Sequence, residues 1–192
     1  MNLKLTKKDI ITIPNLLSLL RLIMIPLIIW LYIGLKNYSL TAIMVLVSGL
    51  TDIIDGFIAR TFNMVSDVGK VLDPIADKLT QAALMFCLTT RYPLLWVPIV
   101  IFVIKESFML LFGYITLEVT DKINSARWYG KVNTVVLYFV MTSLIFFPEI
   151  SPDMASFLIG FCVAVMLAAL ILYISFYINI LVNHNNDKKS QD

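Results

Sequence analysis

The sequence is poor in cysteine and histidine, with two of the first and one of the second in 192 residues. Cys87 and Cys162 each lie inside an apolar run without a partner at ligand spacing, so both read as small buried hydrophobes. The single histidine, His184, reads as a solvated tail residue far in sequence from the acidic positions discussed below. Internal repeats and low-complexity tracts are absent, which weighs against a transporter built from inverted repeats. Charge is sparse at 15% of residues, and a formal net charge of +2 says little about partners. No small-residue cleavage site follows the first apolar run, which is too long for a secretory leader, so a cleavable signal peptide is not expected.

Apolar residues make up 59% of the chain, and the mean hydropathy is +0.87. A soluble domain of this length needs no such apolar runs, so the expected class is an all-α polytopic membrane protein. Six spans of about 20 residues would leave no room for a separate soluble domain. They are expected at about 14–35, 39–61, 71–90, 94–117, 132–147 and 154–182. Residues 1–13 alternate Lys with Leu and Ile, a pattern that suits either a short juxtamembrane amphipathic helix or a solvated leader. Residues 14–182 then form the membrane domain, and 183–192 a polar cytoplasmic tail expected to fray. Lys4, Lys7, Lys8, Arg60, Lys70, Lys122, Arg127, Lys131, Lys188 and Lys189 fall on one side of this topology, Lys36 and Arg91 on the other. The positive-inside rule therefore puts both termini and the 52–77 region on the cytoplasmic side of a cell membrane.

That region, D-I-I-D-G-F-I-A-R-T-F-N-M-V-S-D-V-G-K-V-L-D-P-I-A-D, carries Asp52, Asp55, Asp73 and Asp77 between apolar flanks. Positions three and four apart share a helix face, so Asp52, Asp55 and Ala59 line one helix and Asp73 and Asp77 the next. A carboxylate at the centre of a membrane helix costs on the order of 2.5–3.5 kcal/mol, and neighbouring acids repel. Divalent cations remove both penalties, and all-oxygen donors point to Mg²⁺ or Mn²⁺. Two such ions at a membrane surface suit displacement at phosphorus, and a carboxylate not spent on metal can take a proton from an incoming hydroxyl. Gly56 and Ala59 leave room for a ligand, Gly69 permits close backbone approach, and Arg60 can fork onto phosphate or simply anchor the cytoplasmic side. Intramembrane acids also mark ion or proton pathways, so a membrane cation transporter is the reading of another class.

The same stretch matches, at Asp52, Asp55, Gly56, Ala59, Arg60, Gly69, Asp73 and Asp77, the signature D-x2-D-G-x2-A-R-x8-G-x3-D-x3-D. On those residues the chain resembles the CDP-alcohol phosphatidyltransferases. The resemblance implies six membrane helices, usually in a homodimer, and a dinuclear metal site open to the cytoplasmic leaflet. It implies Asp52, Asp55 and Asp73 as metal ligands, with Asp77 sharing that shell or serving as the base. Gly56, Ala59, Arg60 and Gly69 would line the CDP and pyrophosphate site of CDP-diacylglycerol, and Asn15 and Arg21 could touch the nucleotide. The implied reaction is attack of an alcohol on the β-phosphorus of a CDP-linked lipid, with release of CMP; nucleic acid is not an expected partner.

For the acceptor, I-P-N-L-L-S-L-L-R and D-P-I-A-D-K-L are similar to the bacterial phosphatidylglycerophosphate synthases, whose acceptor is glycerol 3-phosphate. K-V-N-T at 131–134 departs from them, with Asn133 where a second lysine is usual, and resembles cardiolipin synthases, whose acceptor is phosphatidylglycerol. The Lys105–Glu106 pair stands where Arg–Glu is common, and lysine lacks the bidentate fork of arginine. Lys131 is a candidate acceptor-phosphate contact or an interfacial snorkelling lysine. Lys105 could reach the same pocket or neutralise Glu106. The expectation is glycerol 3-phosphate, with phosphatidylglycerol as the alternative.

Overall fold

The computed structural model describes residues 12–62, 66, 68–120 and 127–189, apart from the side chains of Arg60, Lys70, Thr120 and 185–189. The expected juxtamembrane segment, apart from Thr12 and Ile13, therefore lies outside the described residues, as do Lys4, Lys7, Lys8 and Lys122.

Helix α1, Ile13–Ile29, begins where Thr12 caps it, the side chain accepting from the Asn15 N–H, with a proline in the first turn. Proline suits that place because its missing N–H would have no helical partner there. Pro26 lies inside the helix, and four residues further on the coil widens into a π turn over Trp30–Gly34. Lys36 takes a left-handed conformation, φ 51°. Asn37 then caps helix α2, Tyr38–Thr61, accepting from the Leu40 N–H at 3.0 Å. Helix α3 spans Gly69–Thr89, a 3₁₀ turn Pro93–Leu95, α4 Trp96–Thr120, α5 Trp128–Phe146 and α6 Pro152–Lys189.

Among the described residues, five stretches are long and apolar enough to cross a membrane: Ile13–Gly34, Tyr38–Ala59, Pro93–Val119, Trp128–Phe146 and Pro152–His184. The remaining expected span, 71–90, falls on helix α3, which is not among these five. Helix α3 has 21 residues, long enough to span, yet holds Asp73, Asp77 and Lys78 within that length. Two further boundaries move. α5 starts at Trp128, about one turn earlier than expected. α6 runs on to Lys189 through the segment expected to fray, so half-buried His184 sits on a helix rather than in a solvated tail.

Large apolar side chains such as Leu16, Ile23, Leu46, Leu50, Leu110 and Phe157 are exposed, while Asn15, Ser18, Arg21, Asp55, Gln81, Lys105 and Asn133 are buried. At roughly 25 cal/mol per Å² of apolar surface, so much exposed hydrocarbon is costly in water and favourable in lipid. The two cysteines are free and buried, as expected.

The chain forms two compact units, Met1–Arg91 with Met141–Ile150, and Tyr92–Val140 with Ser151–Asp192. In the first, α1 packs against both α2 and α3. In the second, α4 packs against α6, where Phe108 and Phe112 stack at 4.2 Å and meet the ring of Tyr177. All four signature aspartates belong to the first unit.

Candidate active site

The second half of α2 carries Asp52 and Asp55, and the first half of α3 carries Asp73 and Asp77. Helix α1 touches both elements with one face, on which Pro14, Asn15, Ser18, Arg21, Met24 and Ile28 are buried. Arg21 reaches α2 with both terminal nitrogens, Nη1 2.5 Å from Asp52 Oδ1 and Nη2 2.5 Å from Asp55 Oδ2. The second contact is a hydrogen bond. The first is an ion pair without hydrogen-bond alignment, and the Arg21 Nε has no hydrogen-bond partner among the described residues. Asp55 is enclosed, its side chain 4% exposed, whereas that of Asp52 is 50% exposed.

Ser18 joins the third acid to this pair. Its Oγ hydrogen-bonds Asp73 Oδ1 and lies 3.4 Å from Asp55 Oδ2 and 3.1 Å from the Pro14 carbonyl. One hydroxyl on α1 thus spans carboxylates from α2 and α3. Asp77 lies one turn beyond Asp73 on the same helix face and accepts from Gln81 Nε2 at 2.8 Å.

Gly69 has a packing role the sequence indicated only in outline. A Cβ there would stand 2.7 Å from Asn15 Oδ1 and 3.1 Å from Ser66 Oγ. Ser66 accepts from the Gly69 N–H at 2.9 Å and donates to Asn15 Oδ1 at 2.8 Å, so the start of α3 is laced to α1. Gly56 and Ala59 are half-buried on α2, and the Arg60 side chain lies outside the described residues.

Of the remaining candidates, Arg21 and Asn15 are engaged with Asp52, Asp55 and Ser66 rather than presented for a nucleotide. Lys105 and Lys131 belong to the second unit. Lys105 is buried with its Nζ 2.6 Å from Glu106 Oε1, the neutralising arrangement, and Lys131 is exposed. Sequence reasoning missed Ser18, Ser66 and Gln81. The signal for the first was present: Asn15, Ser18 and Arg21 are polar residues three apart on an apolar helix, hence one face.

Among the described residues, no three Asp, Glu, His or Cys side chains converge on one point that could hold a metal ion. The cation between Asp52 and Asp55 is the Arg21 guanidinium. The donors are nonetheless all hard oxygens, and three carboxylates outweigh one guanidinium, so the donor chemistry fits Mg²⁺ or Mn²⁺.

The CDP-alcohol phosphatidyltransferase family model matches residues 11–177, and the chain belongs to that family. It is 31% identical over 157 residues to the CDP-diacylglycerol–glycerol-3-phosphate 3-phosphatidyltransferase of Escherichia coli K12, covering 79% of this chain and 86% of that protein. It is 34% identical over 110 residues to a CMP-forming cardiolipin synthase of Streptomyces coelicolor, covering 54% of this chain and 51% of that protein. It is also 45% identical over 86 residues to a cardiolipin synthase–mitochondrial hydrolase fusion protein of Schizosaccharomyces pombe, covering 44% of this chain and 14% of that protein. The chain therefore spans about half or less of the two cardiolipin synthases and most of the E. coli enzyme.

Proposed function

We propose that the chain transfers a phosphatidyl group from CDP-diacylglycerol to glycerol 3-phosphate, releasing CMP and forming phosphatidylglycerol phosphate. The observation that carries this reading is the meeting of signature carboxylates from α2 and α3 at Ser18 and Arg21. The acceptor hydroxyl oxygen attacks the β-phosphorus, the bond from that phosphorus to the bridging oxygen breaks, and CMP departs with the oxygen. The hydroxyl proton passes to Asp77, whose carboxylate is oriented by Gln81. Mg²⁺ or Mn²⁺, held by Asp52, Asp55 and Asp73, would neutralise the charge that develops on the phosphate oxygens. Gly56, Ala59 and Arg60 are the residues that would line the CDP pyrophosphate. Lys131, exposed on α5, is the further cation available to an acceptor phosphate, whereas Lys105 is committed to Glu106. Both termini and the acid cluster face the cytoplasm of a cell membrane, and the working unit is a homodimer.

A second reading, phosphatidylglycerol as acceptor to give cardiolipin, is favoured by one residue. Asn133 is 1% exposed, and neither atom of its amide has a hydrogen-bond partner among the described residues. A neutral side chain there suits a phosphodiester less dependent on cations than a free phosphate monoester. The cation-transport reading is set aside, because the Gly-x2-Ala-Arg part of the signature has no use in it.

Purified protein with CDP-diacylglycerol and Mg²⁺ or Mn²⁺, given the two acceptors separately, separates these readings. CMP release with glycerol 3-phosphate supports the first, release with phosphatidylglycerol alone the second. Release with neither, or release undiminished by EDTA, would refute the metal-assisted transfer itself.

A further inference from the structure

We infer that Ser18 and Arg21 are positioning residues: α1 holds Asp52, Asp55 and Asp73 each by one carboxylate oxygen and leaves each a second oxygen for a divalent cation. The inference rests on the phosphatidyl-transfer reading in one respect only, that a divalent cation occupies the acid cluster. Arg21 takes Asp52 Oδ1 and Asp55 Oδ2. Ser18 takes Asp73 Oδ1 and approaches the same Asp55 Oδ2. Asp52 Oδ2, Asp55 Oδ1 and Asp73 Oδ2 accept no side-chain hydrogen bond among the described residues. The contacts from α1 thus fall on one oxygen of each acid, even at Asp55, where Arg21 Nη2 donates to the same oxygen that Ser18 Oγ approaches.

Burial makes the arrangement firm. Ser18 is 0% and Arg21 1% exposed, so neither side chain can turn to water without α1 moving. The planar guanidinium hydrogen-bonds Asp55 and pairs with Asp52 one turn away, so it orients both acids at once, Asp55 the more firmly. A carboxylate held by an outer hydrogen bond binds metal better, because less orientation is lost on binding, and removing such a partner typically costs 10–100-fold in affinity. The opposing account makes Arg21 a mere counter-ion for buried acids, with Ser18 bonding within its own helix to Pro14. That account affects stability and leaves metal affinity unchanged, or has metal and guanidinium compete.

The experiment is Mn²⁺ binding to the full-length protein in detergent, read by electron paramagnetic resonance, with thermal melts in EDTA to confirm folding. Ser18→Ala should weaken Mn²⁺ binding by about ten-fold or more, with Ser18→Thr, which keeps the hydroxyl, restoring most of it. Arg21→Gln should also weaken binding, and Arg21→Lys should recover part. If the Arg21 variants do not fold, the serine pair decides. A folded Ser18→Ala protein with Mn²⁺ affinity unchanged overturns the inference, as does tighter binding by Arg21→Gln. Wild-type protein that binds no Mn²⁺ overturns the metal reading beneath it as well, so the two failures are distinguishable.

Discussion

Asn15 and Gly69 meet so closely that any side chain on residue 69 would press into the Asn15 amide oxygen, 2.7 Å from the position of a Cβ. Alanine ordinarily stabilises a helix relative to glycine by about 1 kcal/mol. Here Asn15 is buried and its oxygen accepts from Ser66, so making room breaks a buried hydrogen bond as well as packing. Overpacking costs about 1–3 kcal/mol, which exceeds the propensity gain. Gly69→Ala should therefore lower the melting temperature, and in an Asn15→Ala background the same change should be neutral or stabilising. A double-mutant cycle of thermal melts measures that coupling.

The acids and their helices were legible in the sequence because their spacings are multiples of the helical turn and apolar runs bracket them. The part α1 plays was not, because a pattern of threes says which residues share a face and not which neighbour that face meets. Arg21, which by sequence could have touched a nucleotide, is found on Asp52 and Asp55. The sixth expected span shows a related effect. Apolar length suggested a sixth span at 71–90, but the charges of Asp73, Asp77 and Lys78 lie within α3, so that helix is not apolar enough to be counted with the other five.

Asp77 is the acid assigned to the acceptor proton, and Asp77→Asn keeps its shape and an oxygen able to accept from Gln81. General-base contributions run to about 10²–10⁴-fold. CMP release should fall by at least the lower of these, with little change in melting temperature. A variant that retains near-normal turnover would show that another group takes the proton.

Lys105 and Glu106 form an ion pair at 2.6 Å, the lysine side chain 2% and the glutamate 17% exposed. Removing one member of a buried pair strands the other charge, at a cost of about 3–5 kcal/mol, whereas replacing both by apolar groups is far cheaper. Lys105→Met should destabilise strongly, and Lys105→Met with Glu106→Leu should recover much of the loss in chemical or thermal melts. Equal losses in the single and double variants would mean that Lys105 is held chiefly by other partners.

Asp52 and Asp55 face the same guanidinium at the same 2.5 Å, yet one side chain is 50% and the other 4% exposed. Water can replace the Asp52 contact in part, and ion pairs open to solvent are worth about 0–1 kcal/mol. Nothing replaces Asp55, since losing it leaves the buried Arg21 charge facing a neutral group, at a cost of about 3 kcal/mol or more. Asp55→Asn should therefore melt well below Asp52→Asn when both are measured in EDTA, while both lose CMP release. Equal catalytic loss with unequal stability would separate two roles in one cluster, Asp52 acting in the reaction alone and Asp55 also balancing the charge buried on α1. Equal melting temperatures would show that the Arg21 charge is compensated elsewhere.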